Sequence, residues 1–196
     1  MDKRRENNGS NITSYGTQNK HHVLATFPGM ADRTVTISGM SKTFSVTGWR
    51  LGTCIAPADI TNAIRKVHDF LTVGAPAPLQ EAAAVGLGLP DSYFIGLKAM
   101  YTKKRDYMMD VLSESGFDPI APDGAYYIMA NIGPLKRAGE NGTEFAMRLA
   151  REGGVATVPG TTFFWNPADG DNLTRFAYCK QDATLQAGAE KLLRFR

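Results

Sequence analysis

The chain has 196 residues, of which 43% are hydrophobic and 21% are charged, and its formal net charge is +3. This composition suits one large globular domain or slightly more, and it excludes a disordered chain, a collagen-like repeat and a disulfide-stapled miniprotein. The small excess of 22 basic over 19 acidic residues gives no indication of nucleic-acid binding. The two cysteines, Cys54 and Cys179, match no metal-ligand spacing, and we expect both to be buried free thiols.

The first twenty residues carry only three apolar side chains, Met1, Ile12 and Tyr15. We therefore expect 1–20 to be a polar, disordered segment. A secretory signal needs an apolar stretch after its basic start, and none follows. No run of about 18 uninterrupted apolar residues occurs, so the sequence predicts no membrane span. The default expectation for such a chain is a cytoplasmic location.

Two short strands are predicted on either side of a loop rich in glycine and hydroxyl groups. The β-branched residues 34–38 (TVTIS) predict a short buried strand, and 51–56 (LGTCIA) predict the next strand. Between them lies sequence without apolar periodicity, which we expect to be a loop.

Three helices are predicted next. The Pro-Ala-Asp sequence at 57–59 suits the start of the first helix. Its apolar positions follow at helical spacing: Ala63, Ile64, Val67, Phe70 and Leu71. A glycine and two prolines within 72–78 end this helix, and a short helix over about 78–87 follows. The third is a long amphipathic helix over 91–115.

After Gly116 the predicted order becomes strand, strand, helix, strand, strand, helix. The predicted strands cover 117–120, 125–132, 155–158 and 175–179. Thr143 and Asp182 are the expected caps of the two helices, and the first of these helices ends at Gly153. This order is typical of an α+β domain, and we expect the long helix before it to connect the two parts of the chain.

The residues with the clearest chemistry are concentrated in segment 38–52, SGMSKTFSVTGWRLG. Lys42 follows a predicted strand end, and Arg50 lies eight residues further on between two glycines. A lysine can form a Schiff base with an aldehyde, and an arginine with neighbouring hydroxyls suits a phosphate. Pyridoxal phosphate requires this combination, although an ordinary exposed loop can contain the same residues. The segment is neither a Walker loop nor a dinucleotide fingerprint.

The same segment resembles the pyridoxal-phosphate attachment site of class I/II aminotransferases. The constrained positions of that pattern are all matched, by Gly39, Met40, Ser41, Lys42, Ser45, Val46, Gly48, Arg50, Leu51 and Gly52. The resemblance covers about 21–196. It includes PDGAYYIMANI at 122–132, GGVATVPGTTFF at 153–164 and TRFAYC at 174–179. Within the family, the chain resembles the subgroup acting on aspartate, methionine, kynurenine or aromatic amino acids.

The resemblance implies an α/β protein of aminotransferase fold type I. Residues 21–90 would then be part of the large cofactor-binding domain, with a partial sheet and helices. Residues 91–116 would be the long connecting helix, and 117–196 the small α+β domain.

The resemblance also implies a role for five residues. Lys42 would form the Schiff base with pyridoxal 5'-phosphate and move the proton during transamination. Arg50 would hold the phosphate with help from Ser41 or Ser38, and Arg175 would bind the substrate α-carboxylate. The three histidines lack a cluster of further ligands, and we expect no metal site.

The implied activity is transfer of an amino group between an amino acid and a 2-oxo acid, in a cytoplasmic protein without nucleic-acid or membrane partners that forms a homodimer if full-length. Family members carry further cofactor-contacting groups ahead of the lysine, and residues 7–10 offer no aspartate–tyrosine pair. We therefore expect a C-terminal aminotransferase portion that alone binds the cofactor poorly and turns over little or not at all. The alternatives are a lyase or decarboxylase of the same fold type, and a non-catalytic remnant supplying only structural or dimer contacts.

Overall fold

The computed structural model describes residues 21–195, and the predicted disordered segment 1–20 lies outside the described residues. The described chain divides after Phe94 into two compact units, 21–94 and 95–195. No helix among the described residues is both long and apolar enough to cross a membrane.

The first unit contains two antiparallel strands, β1 (Thr36–Gly39) and β2 (Gly52–Ile55), as the sequence predicts within one or two residues. A short helix, α1 (Met40–Thr43), begins directly where β1 ends. Two longer helices follow, α2 (Ala58–Thr72) and α3 (Ala77–Leu87), and both confirm the predicted helices.

The prediction of a buried first strand is wrong. Ile37 in β1 is 79% exposed, because no described residue covers this face of the two-stranded sheet. The apolar positions of α2 have the predicted helical spacing, yet the helix has no buried residue, and Phe70 is 92% exposed. In residues 21–94 the only buried apolar side chains are Met40 and Leu51.

The long helix α4 (Asp91–Glu114) confirms the predicted helix over 91–115 and continues into the second unit. Four strands of that unit form an antiparallel sheet in the order β3–β4–β6–β5. They are β3 (Asp118–Ile120), β4 (Tyr127–Asn131), β5 (Val158–Pro159) and β6 (Leu173–Ala177). Two helices complete the unit, α5 (Gly142–Glu152) and α6 (Asp182–Arg194). The predicted α+β order is therefore present, although β5 is only two residues long.

Apolar side chains from α4, the sheet, α5 and α6 form one core in the second unit. Its buried members include Leu112, Phe117, Ile128, Ile132, Phe145, Leu149, Phe176, Tyr178 and Leu192. Phe117 contacts Phe145 and Phe176 edge to face, with ring centroids 6.1 and 5.2 Å apart. Such aromatic pairs add stability beyond the area that they bury.

The structure corrects both predicted helix caps. Asn141, and not Thr143, caps α5: its side chain accepts hydrogen bonds from the N–H groups of Thr143 and Glu144, and the Glu144 carboxylate accepts from the Asn141 N–H. This reciprocal capping box satisfies amide groups that the first helical turn leaves unpaired. Asp182 is the first residue of α6, and Gln181 occupies the cap position.

The prediction of buried cysteines is also wrong. Cys54 and Cys179 are both free thiols, but both are exposed. Cys54 lies on β2 of the uncovered two-stranded sheet, and Cys179 lies beyond the end of β6, where the chain leaves the core. Small apolar residues are buried only where another element covers them.

Candidate active site

The position of Lys42 is fixed by the end of the β1–β2 pair. Gly39 pairs with Gly52, and the Met40 N–H donates a hydrogen bond of 3.1 Å to the Leu51 carbonyl. Met40 and Leu51 are both buried, 6% and 7% exposed. Lys42 comes two residues after this anchored point, within α1, and its side chain is exposed.

The strand pairing explains why position 52, one of the constrained positions of the lysine segment, is a glycine. A Cβ atom at this position would lie 3.0 Å from the backbone oxygen of Ser38 on the paired strand. This distance is too short for a Cβ atom while the two strands keep their hydrogen bonds. A glycine at position 52 therefore lets β1 and β2 pair directly beside α1.

The loop that follows Lys42 folds back toward the start of α1. The hydroxyl of Thr47 donates to the Ser41 carbonyl at 3.2 Å, and the Arg50 Nη1 donates to the Thr47 carbonyl at 3.1 Å. Ser45 and Arg50 have φ values of 56° and 54°. Non-glycine residues rarely adopt this left-handed conformation, and such residues are frequent at ligand sites.

An aromatic cluster holds the far side of this loop within the first unit. The Phe44 ring lies 6.0 Å from the Tyr93 ring and 6.3 Å from the Phe94 ring. The Tyr93 hydroxyl donates to the Thr43 carbonyl at 2.9 Å, and Gly86 leaves room for Phe44, since a Cβ there would lie 3.3 Å from the ring. The residues flanking Lys42 are thus held from both sides.

Among the described residues, Arg50 and two serines of segment 38–52 have polar groups without a partner. Arg50 uses one of its five N–H groups, and the hydroxyls of Ser38 and Ser41 make no hydrogen bond. Ser41 and Lys42 thus lie in α1 at the end of β1, the strand that carries Ser38, and Arg50 follows in the loop that folds back onto α1. These groups suit an aldehyde and a phosphate.

Arg175 belongs to the second unit, where it lies on β6 between two neighbouring strands. It pairs with Met129 of β4 and with Val158 of β5. Its guanidinium carbon lies 4.1 Å from the ring centroid of Tyr127 and 4.5 Å from that of Phe163. No described carboxylate lies within ion-pair distance of this half-buried side chain.

Reasoning from the sequence did not assign Tyr127 or Phe163 to the immediate surroundings of Arg175. Tyr127 could have been found, because it pairs with Ala177, two residues after Arg175, and alternate strand residues share a face. Phe163 lies just after the short turn Gly160–Thr162 and carried no such signal.

Two carboxylates of the second unit have shifted pKa values, and both serve the fold. Hydrogen bonds from Arg148 hold the pKa of Glu140 below its ordinary value. The pKa of Asp171 is lowered by the N–H of Gly142 and by Lys136, whose ammonium lies 2.5 Å from the carboxylate. Asp171 thereby ties the start of α5 to the turn before β6.

The sequence matches the profile of the family "Aminotransferase class I and II" over residues 12–192. It is 37% identical over 195 residues to a kynurenine–oxoglutarate transaminase of Dictyostelium discoideum, covering 90% of this chain and 45% of that protein. It is 33% identical over 176 residues to a methionine aminotransferase of Escherichia coli, again covering 90% of this chain and 45% of that protein.

The fold is similar to that of a solved N-succinyldiaminopimelate aminotransferase from Mycobacterium tuberculosis. The TM-score is 0.85 at 31% identity, and the match covers 96% of this chain and 48% of that one. The chain therefore spans about half the length of the curated relatives that it matches. The predicted α/β fold of aminotransferase type I is confirmed. On this sequence match and this fold, the chain belongs to the class I and II aminotransferase family.

Proposed function

We propose that this chain contributes the lysine-bearing part of a pyridoxal 5'-phosphate-dependent aminotransferase, which moves an amino group between an amino acid and a 2-oxo acid. The observation that supports this most strongly is the loop from Ser38 to Gly52. There the anchored end of β1 presents Lys42, and Arg50 has unused N–H groups among the described residues. The family match over residues 12–192 includes this loop.

The residues of segment 38–52 fit both the aldehyde and the phosphate of the cofactor. An exposed lysine amine can attach an aldehyde covalently, and a guanidinium with two serine hydroxyls can bind a phosphate. The bound cofactor supplies an electron sink that stabilises the negative charge left when the substrate Cα loses its proton.

Each residue then has a defined role. Lys42 Nζ would hold the cofactor aldehyde, and its free amine would move the proton at the substrate Cα. Arg50 holds the phosphate, and the hydroxyls of Ser41 and Ser38 donate hydrogen bonds to it. Arg175 binds the substrate α-carboxylate with its planar fork of N–H groups.

The organisation implied by the family is part of this proposal. Residues 21–90 would belong to the large cofactor-binding domain, 91–116 to the connecting helix and 117–196 to the small domain. The full-length enzyme would work as a homodimer in the cytoplasm. Gel filtration and cell fractionation test the last two statements.

Covalent labelling tests the assignment of Lys42. The chain is incubated with pyridoxal 5'-phosphate and reduced with borohydride, and the modified peptide is identified by mass spectrometry. We expect the adduct on Lys42, its loss in Lys42→Ala, and unchanged labelling in Lys66→Ala, which removes an exposed lysine of α2. Equal labelling of Lys42 and Lys66 would contradict the proposal.

Comparison with pyridoxal, which lacks the phosphate, tests Arg50 separately. The unaltered chain should label more at a given concentration of pyridoxal 5'-phosphate than of pyridoxal, and Arg50→Ala should lose most of this preference. Product analysis identifies the reaction of whatever turnover the chain retains. A 2-oxo acid formed in exchange for an amino acid supports transamination, whereas an amine with carbon dioxide, or a cleaved side chain, indicates a decarboxylase or a lyase.

A further inference from the structure

The surroundings of Arg175 differ from those of the other arginine that lies over two aromatic rings. Arg148 lies 5.0 Å from the Phe145 ring centroid and 4.9 Å from that of Phe195. Its N–H groups are used internally: Nε and Nη2 donate to the Glu140 carboxylate at 2.7 and 2.9 Å. Arg148 is therefore a structural cation whose charge is neutralised inside the fold.

Arg175 also lies over two aromatic rings, but no described carboxylate pairs with it. Its guanidinium is closer to its two rings, at 4.1 and 4.5 Å, but it makes no hydrogen bond or ion pair with any described residue. A half-buried guanidinium without an anion retains its N–H donors for a ligand. The comparison of the two arginines suggests that the rings hold Arg175 for an external carboxylate.

We propose that Tyr127 and Phe163 are positioning residues that hold the guanidinium of Arg175 through their rings and so leave its N–H groups directed to a carboxylate ligand. This inference rests on the proposed role of Arg175 in binding the substrate. A free arginine side chain loses rotamer entropy when it binds an anion, and an aromatic contact made beforehand reduces that loss.

The fold fixes both rings relative to the strand that carries Arg175. Tyr127 lies on β4 and pairs with Ala177 of β6. The Phe163 N–H donates to the Gly160 carbonyl at 2.9 Å. A Cβ atom at Gly160 would meet the backbone of Gly170 and the side chain of Leu173, which is the first residue of β6. The chain therefore brings Phe163 back to β6 through a close backbone contact.

The experiment measures the preference of the full chain for a carboxylate over its uncharged analogue. Binding of 3-phenylpropionate and of 3-phenylpropionamide is titrated by NMR, following the side-chain Nε–H signal of Arg175. Phe163→Leu and Tyr127→Leu remove one ring each, and a double variant removes both. Tyr127→Phe and Phe163→Tyr retain the rings, and Trp165→Leu removes a fully exposed neighbouring ring as a control.

We expect the unaltered chain to prefer the carboxylate. Loss of either ring should reduce this preference about three- to fivefold, and loss of both about tenfold, as expected from the strength of cation–π contacts at partly exposed sites. The ring-retaining variants and Trp165→Leu should keep it. The Arg175 signal should also shift in both leucine variants, because each removes a ring current.

Two results would overturn the inference. One is an unaltered chain that does not distinguish the carboxylate from the amide. The other is a double variant that retains the carboxylate preference or weakens both probes equally, which is the result expected of a purely structural role. Labelling of Lys42 is measured on the same samples. If Lys42 is labelled no more than Lys66 while the preference depends on the rings, the proposed cofactor function is wrong and the inference stands.

Discussion

The two units differ in how much of their apolar surface their own described residues cover. In the second unit, α4, α5, α6 and the sheet enclose a core in which Leu112, Ile128 and Phe145 are fully buried. In residues 21–94, only Met40 and Leu51 are buried apolar side chains, and Val73 is 83% exposed. An amphipathic pattern therefore identifies the face of an element that requires cover, but it does not identify what covers it.

The largest expected effect contrasts one phenylalanine from each unit. Phe145→Ala should lower the free energy of unfolding by about 4 kcal/mol, because it leaves a cavity among Phe117, Phe195 and Arg148. Phe70→Ala should change it by less than about 0.5 kcal/mol, because the side chain is exposed. Urea unfolding followed by circular dichroism measures both. A loss of several kcal/mol in Phe70→Ala would show that the face of α2 is covered in solution.

The next effect contrasts a buried with an exposed ion pair within the second unit. Glu140→Ala leaves Arg148, 7% exposed, without its carboxylate and should cost about 3 kcal/mol. Glu152→Ala breaks an exposed pair with Arg137 and should cost less than about 1 kcal/mol. Thermal unfolding of both variants at the same salt concentration gives the comparison. Equal losses would contradict the structural role of Arg148.

A smaller effect is expected at the start of α5. Asn141→Ala removes the acceptor of two backbone hydrogen bonds and should cost about 1 kcal/mol. Thr143→Ala, which alters the cap expected from the sequence alone, should cost less than about 0.5 kcal/mol. If the order of the two losses is reversed, Thr143 is the functional cap in solution.

The smallest effect is a difference in acid sensitivity. The pKa of Asp171 is lowered in the folded state, so the unfolded chain binds the proton more readily. The stability contributed by Asp171 is therefore present above its unfolded pKa, about 4, and is lost as the pH falls through the folded value. Asp171→Asn should lose less stability between pH 7 and pH 3 than the unaltered chain does, as measured by urea unfolding. An equal loss would contradict the contribution of this carboxylate.

The sequence predicted the elements well where local patterns determine them. The helix over 91–115 and the strands flanking the lysine segment follow from apolar periodicity and β-branched residues, and both are present. Lys42 and Arg50 stand out because the loop between them carries an unusual combination of glycines, hydroxyls and charges. Each of these signals lies within a window of about 25 residues.

Features that depend on contacts between distant residues could not be predicted in this way. The exposure of Cys54 depends on what covers β2, and the contact of Phe163 with Arg175 depends on the path of a loop. The cap of α5 was misassigned because Asn141 and Thr143 are both good capping residues two positions apart. Only the hydrogen bonds to Asn141 distinguish them.

The close contact between Gly160 and Gly170 also affects how the sequence near Arg175 can change. The two ends of the intervening loop meet through backbone atoms, and the Phe164 ring packs beside Gly170. Trp165 is fully exposed at the middle of this loop. We therefore expect that exchanging the exposed residues 165–169 leaves β6 in place, so this loop can accept new side chains beside the strand that carries Arg175.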